Sequence, residues 1–185
     1  MNETQQQLVE AIQQLDLDTV KQLLQTEEPN FVTENGPPVS ILCDGLIHWW
    51  EKVCDAYEAH KPLTAEQKQQ ELQVYLDILE ALIAAKANLH LWDSDEFYGP
   101  LWDAASAACE PVVQRLLDEK VNPNTLDDEG LTILSSISYL FFECDYDEID
   151  WDNVYPEIQL TLTLLRDNGA KMSKELSQPV DALKS

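Results

Sequence analysis

Gly99-Pro100-Leu101-Trp102-Asp103-Ala104-Ala105 opens, and Val112-Val113-Gln114-Arg115-Leu116-Leu117 closes, a unit that ends in the polar turn Val121-Asn122-Pro123-Asn124. Apolar residues recur at helical spacing over Leu101–Cys109 and again over Pro111–Lys120, so the stretch reads as two short helices joined by a tight turn. Gly99 sits at the turn before the first helix, where a positive φ comes most easily to a residue without Cβ.

Outward from this unit the pattern stays helical. The longest segment runs from about Thr64 to Lys86, with Leu72, Tyr75, Leu76, Leu79, Leu82 and Ile83 on one stripe. Thr64-Ala65-Glu66-Gln67 reads as its N-cap region, with Pro62 just outside. Further helical segments are predicted over Gln5–Leu15, Asp18–Gln25, Val39–Ala59, Leu131–Phe142 and Val154–Asn168. Alternation of the strand kind is nowhere sustained, so the chain is expected to be all-α. The second helix of the unit also recurs: Thr19–Leu24, Ile78–Ile83, Val112–Leu117 and Leu160–Leu165 each close on an apolar pair and lead into a polar turn. The pairs end at positions 24, 83, 117 and 165, giving steps of 59, 34 and 48.

The 34-residue step and the Gly99–Ala105 stretch resemble the ankyrin repeat, whose period is about 33 residues, with Trp102 where that motif has its histidine. Gly130-Leu131-Thr132-Ile133-Leu134 resembles the same turn-and-helix start, with Ile133 in place of proline, and Asn35-Gly36-Pro37-Pro38 is a looser version. The resemblance covers roughly residues 4–172. It implies an ankyrin-repeat-like solenoid of about four helix-turn-helix repeats, with insertions in the second repeat (Trp49–Thr64) and the last (Phe141–Asn153). Residues 1–172 are thus expected to form one repeat domain, and residues 173–185 a polar, frayed tail or weak cap.

Composition limits what such a domain does. Among 185 residues, 35 are Asp or Glu and 11 are Lys or Arg, for a net charge of −24. That balance argues against direct contact with nucleic acid or an anionic membrane, both of which need basic side chains. The N-terminus lacks a secretory pattern and no apolar run reaches a membrane-spanning length, so a cytoplasmic protein is expected. The four cysteines are far apart and read as small apolar residues of a reducing compartment. No nucleophile elbow, zinc-protease motif, phosphate loop or dinucleotide fingerprint occurs. No enzyme activity, cofactor or metal is expected. The acid-rich stretch at Asp145–Asp152 places Asp150 where a calcium-binding loop needs its glycine.

The acids are concentrated. Residues 91–152 carry 16 of them against Arg115 and Lys120 alone. They gather at Asp93, Asp95 and Glu96, at Asp127, Asp128 and Glu129, and at Glu143, Asp145, Asp147, Glu148 and Asp150, with Trp92, Tyr98, Tyr146 and Trp151 among them. Aromatic rings supply contact area while carboxylates steer a basic partner, so these 15 residues are the predicted partner-binding set. An alternative is that each ring merely shields its own loop. The ankyrin resemblance places the first two groups on the hairpin fingers and the third beside them, forming one acidic groove. Small acidic proteins on degenerate ankyrin scaffolds resemble bacterial immunity proteins. The resemblance implies an inhibitor, monomeric when free, that neutralises a basic toxin domain by occluding its active site. Two other functions fit the same composition: a nucleic-acid mimic that sequesters a DNA-binding enzyme, and a general ankyrin adaptor whose charge serves solubility.

Overall fold

Thr64 starts the longest helix of the computed structural model, which describes residues 1–90, 99–127 and 129–176. Its hydroxyl accepts from the Gln67 amide at 3.2 Å, and the Gln67 side chain accepts from the Thr64 amide at 2.9 Å. This reciprocal cap satisfies two amides that a helix start leaves unpaired. The helix runs Ala65–Ala84 and buries Leu72, Tyr75, Ile78, Leu79 and Leu82. Leu76 and Ile83, at the margins of the predicted stripe, are half-buried.

In chain order the helices are α1 (Glu3–Gln13), α2 (Leu17–Leu23), α3 (Pro38–Asp44), α4 (Ile47–Glu58), α5 (Ala65–Ala84), α6 (Pro100–Ser106), α7 (Glu110–Asp118), α8 (Ile133–Phe142), α9 (Pro156–Asp167) and the single turn α10 (Ser173–Leu176). Two 3₁₀ turns, Tyr146–Glu148 and Trp151–Asn153, separate α8 from α9. Among the described residues there is no strand, only the isolated bridges Thr33–Gly36 and Leu126–Thr132. The chain is all-α, as its periodicity requires.

The predicted helix Val39–Ala59 is in fact two. Gly45 and Leu46 break it: the Gly45 carbonyl accepts a hydrogen bond from the Tyr75 hydroxyl at 3.0 Å, and the His48 amide reaches back to that carbonyl at 3.3 Å. Both break residues keep right-handed helical dihedrals. Apolar spacing therefore continues across the break and hides it. One result is that Trp49 is buried, at 4% exposure, while Trp50 points to a different neighbourhood and is half-buried.

Helices that open a pair touch in order, α1 on α3, α3 on α6 and α6 on α8. Their successors pack α2 on α5 and α7 on α9, and within pairs α1 meets α2, α3 meets α5, α6 meets α7 and α8 meets α9. One apolar core threads these contacts, with Leu8, Ile12, Leu46, Ile78, Leu82, Leu101, Leu116, Leu134, Ile137 and Leu165 all essentially inaccessible. Each such side chain contributes roughly 1.5–3 kcal/mol by leaving water. All four cysteines are free; Cys43 and Cys109 are buried in this core, and Cys54 and Cys144 half-buried.

Two asparagines lace the polar turns in the same way. The Asn30 amide donates to the Lys86 carbonyl at 3.1 Å and its oxygen accepts from the Asn88 amide at 2.6 Å. Asn124 repeats both bonds with the Gly169 carbonyl (3.0 Å) and the Lys171 amide (2.8 Å). Gly99 and Gly130, ahead of α6 and α8, have φ of 80° and 77°.

α4 and the start of α9 pack on each other. Tyr57 and Trp50 of α4 meet Tyr155, the first ring stacked at 4.5 Å and the second edge-on at 6.0 Å. Beneath them, Glu157 at the start of α9 is buried, accepts from the Tyr57 hydroxyl at 3.2 Å and pairs with Lys68 of α5. The beginning of the expected polar tail is tied down as well. The Thr132 amide donates to the Ser173 hydroxyl at 2.8 Å, and Arg166 grips Glu175 at 2.5 and 2.9 Å. Residues 177–185 lie outside the described residues.

Candidate partner-binding surface

Of the 15 predicted contact residues, Trp92, Asp93, Asp95, Glu96, Tyr98 and Asp128 lie outside the described residues. Asp127 turns its carboxylate inward on its own hairpin. Oδ1 accepts from the Glu129 amide (3.0 Å) and the Leu131 amide (2.7 Å), and Oδ2 accepts from the Ser136 hydroxyl (2.8 Å). With the Leu126–Thr132 bridge, these bonds shape the turn that leads into α8. Glu129 is exposed.

The stretch after α8 carries the remaining seven. Glu143 ends α8 in the left-handed region, at φ 54°, which turns the chain sharply out of the helix. Asp145 is answered by Lys174 at 2.5 Å and by the Tyr139 hydroxyl at 3.1 Å, and these bonds, the lysine first, hold its carboxyl below the usual range. Asp150 caps the second 3₁₀ turn through the Asp152 amide at 3.3 Å and also accepts from Asn153. Glu143, Asp147 and Glu148 are exposed, and their carboxylates make no hydrogen bond or ion pair with a described residue. Tyr146 and Trp151 are half-buried and meet edge-on at 5.3 Å, Trp151 leans on Phe142, and the Arg166 guanidinium lies 5.7 Å from the Tyr146 ring centre. The rings therefore stiffen the insertion from below, and the unpaired carboxylates ride on top.

A second feature adjoins it. Where α8 ends, Leu140 is 55% exposed and Phe141 meets Trp50 edge-on at 5.7 Å. Both side a pocket of about 410 Å³ whose other walls are Ile47 and Trp50 of α4 and Trp102, Ser106 and Ala107 at α6, with Asp44 and Asp103 also lining it. Ile47 is 44% exposed at this pocket. None of the described lining residues is basic. Burial, and next to it the Asp44 charge, pushes the Asp103 carboxyl up to about 8, and no described group hydrogen-bonds to that carboxylate. A carboxyl so placed favours its protonated form at neutral pH.

Sequence reasoning missed this pocket. Its residues come from positions 44–50, 102–107 and 140–141, which no spacing rule connects. The available signal was Asp103 itself, a lone acid in the otherwise apolar Leu101–Cys109 segment.

Among the described residues no group of three or more His, Cys, Asp or Glu side chains is gathered as a metal cage. No described helix is long and apolar enough to cross a membrane. In comparison with known proteins, no family matches the chain and no curated protein is significantly similar to it.

Proposed function

We propose that this chain is a protein-binding inhibitor built on an ankyrin-like solenoid, an immunity protein that neutralises a basic toxin domain by covering its active site. The observation that carries the reading is the adjacency of unpaired carboxylates and exposed apolar side chains. Glu143, Asp147 and Glu148 stand on a ring-stiffened insertion, and Leu140, Phe141, Trp50 and Ile47 surround the pocket beside it. Exposed apolar side chains supply binding energy when a partner excludes water, and carboxylates nearby speed encounter with a basic surface. The solenoid is supported by the chain-order contacts of the pair-opening helices, by positive φ at Gly99 and Gly130, and by the matching bonds of Asn30 and Asn124. Those asparagines tie successive polar turns at equivalent places, which is the kind of contact a stacked repeat makes with its neighbour.

The test is capture of partners from the native lysate on the tagged chain, at low and high salt, with identification by mass spectrometry. One dominant basic protein retained at high salt is the expected outcome. A set of DNA-binding proteins lost together as salt rises would replace the inhibitor with a nucleic-acid mimic. A scattered list would leave only an adaptor.

A further inference from the structure

The pocket between α4, α6 and the end of α8 has a chemistry of its own. Its walls are flat rings and aliphatic carbons, with carboxylates Asp44 and Asp103 among them. We propose that it is an arginine-binding pocket: one arginine of the partner protein enters the space lined by Trp50 and Phe141 and pairs its guanidinium with Asp103 and Asp44. This deepens, and rests on, the inhibitor reading above.

Arginine fits for three reasons. Its planar guanidinium is weakly hydrated and packs against aromatic rings, which line this pocket at Trp50 and Phe141. Its fork of donors matches a carboxylate two bonds at a time, and the Asp103 carboxylate has no described hydrogen-bond donor. Its aliphatic stem covers apolar surface, and Ile47 and Leu140 offer such surface. No described lining residue is basic, so none of them competes with a guanidinium for the two acids.

The acid pair also makes binding depend on pH. In the empty pocket Asp103 retains its proton at neutral pH, because burial first and Asp44 second disfavour its charge. A guanidinium reverses that preference, so Asp103 gives its proton to solvent as the arginine enters and affinity rises with pH until the group is ionised beforehand. Among the described residues the groups facing it are Asp44 and the buried Cys43 thiol of α3, itself pushed well up by burial and so neutral. From α4 and α8, Ile47, Trp50, Leu140 and Phe141 do not titrate.

The test uses the intact chain and Nα-acetyl-arginine amide as the probe, with the citrulline and lysine amides as controls, reading the indole N–H resonances of Trp50 and Trp102. Saturable shifts are expected with the arginine amide, about tenfold tighter than with either control, tightening further between about pH 6 and 8.5. Asp103→Asn should abolish the preference without weakening the fold, because it removes a carboxyl that burial disfavours. Equal response to the three amides, or an unchanged arginine response in Asp103→Asn, would overturn the pocket assignment. The two readings fail separately. If the chain captures a dedicated basic partner that Asp103→Asn holds equally well, the pocket falls and the inhibitor stands. If the arginine amide binds as described but no dedicated partner is captured, the inhibitor falls and the pocket remains an arginine site.

Discussion

A carboxyl sharing its pocket with two indoles, a phenyl ring and a second acid ionises at the expense of the fold. Asp103 titrates near 8 in the folded chain, against about 4 for an exposed aspartate. Between those values the folded state keeps a proton that the unfolded state has released. Stability therefore falls as pH rises through that window and is lowest, on this account, above it. Asp103→Asn should stabilise the protein on the order of 2 kcal/mol near pH 8 and hardly at all near pH 4. Urea midpoints of both chains at the two pH values check this; an equal or destabilising effect at pH 8 would mean that the carboxyl is well solvated or already paired. Asp127 behaves in the opposite way. Its oxygens accept three hydrogen bonds from its own hairpin and from α8, so its acidity serves local structure.

At the level of elements, what the sequence shows well is what depends on neighbours in sequence. Thr64 was legible as a cap because a cap is a three-residue relationship, and Thr64→Ala is expected to lower stability by about 1 kcal/mol, measured by thermal or urea unfolding. Gly130 was legible in the same way. It holds φ at 77° with nothing within 4 Å of where a Cβ would stand, so Gly130→Ala should cost about 1 kcal/mol through backbone conformation alone. A chain unchanged by that substitution would show that the turn adapts. The break at Gly45–Leu46 was not legible, because its dihedrals stay helical and the Tyr75 hydroxyl that claims the Gly45 carbonyl lies 30 residues away. The acidic insertion could be located by composition, and its internal arrangement could not: which acids are paired depends on Lys174 and on the folding of rings beneath them. The Asp103 pocket is a further step removed, since three helices must pack before it exists.

Across the whole molecule acids outnumber bases by 35 to 11. Lys52, Lys68, Arg115, Arg166 and Lys174 are each held in ion pairs with acids of the chain, which leaves the surplus carboxylates to shape the field around it. Replacing Glu143, Asp147 and Glu148 together by Lys should slow association with the captured partner about tenfold and flatten its salt dependence, with little effect on dissociation. Stopped-flow mixing at several salt concentrations measures this, and an unaltered rate would place the steering elsewhere. The same scale shows what the contact of α4 and α5 with the start of α9 does. Tyr57 and Lys68 reach Glu157 across 100 and 89 residues, passing over α6 and α7. In a row of stacked helical pairs, each pair answers only to its neighbours and the row can unzip from an end. Here a clasp joins α4 and α5 to α9, so α9 cannot come away without surrendering contacts held by helices far earlier in the chain. The clasp couples the opening of α9 to that of α4 and α5, and the long loop that must close before it forms adds to the entropy that folding must overcome.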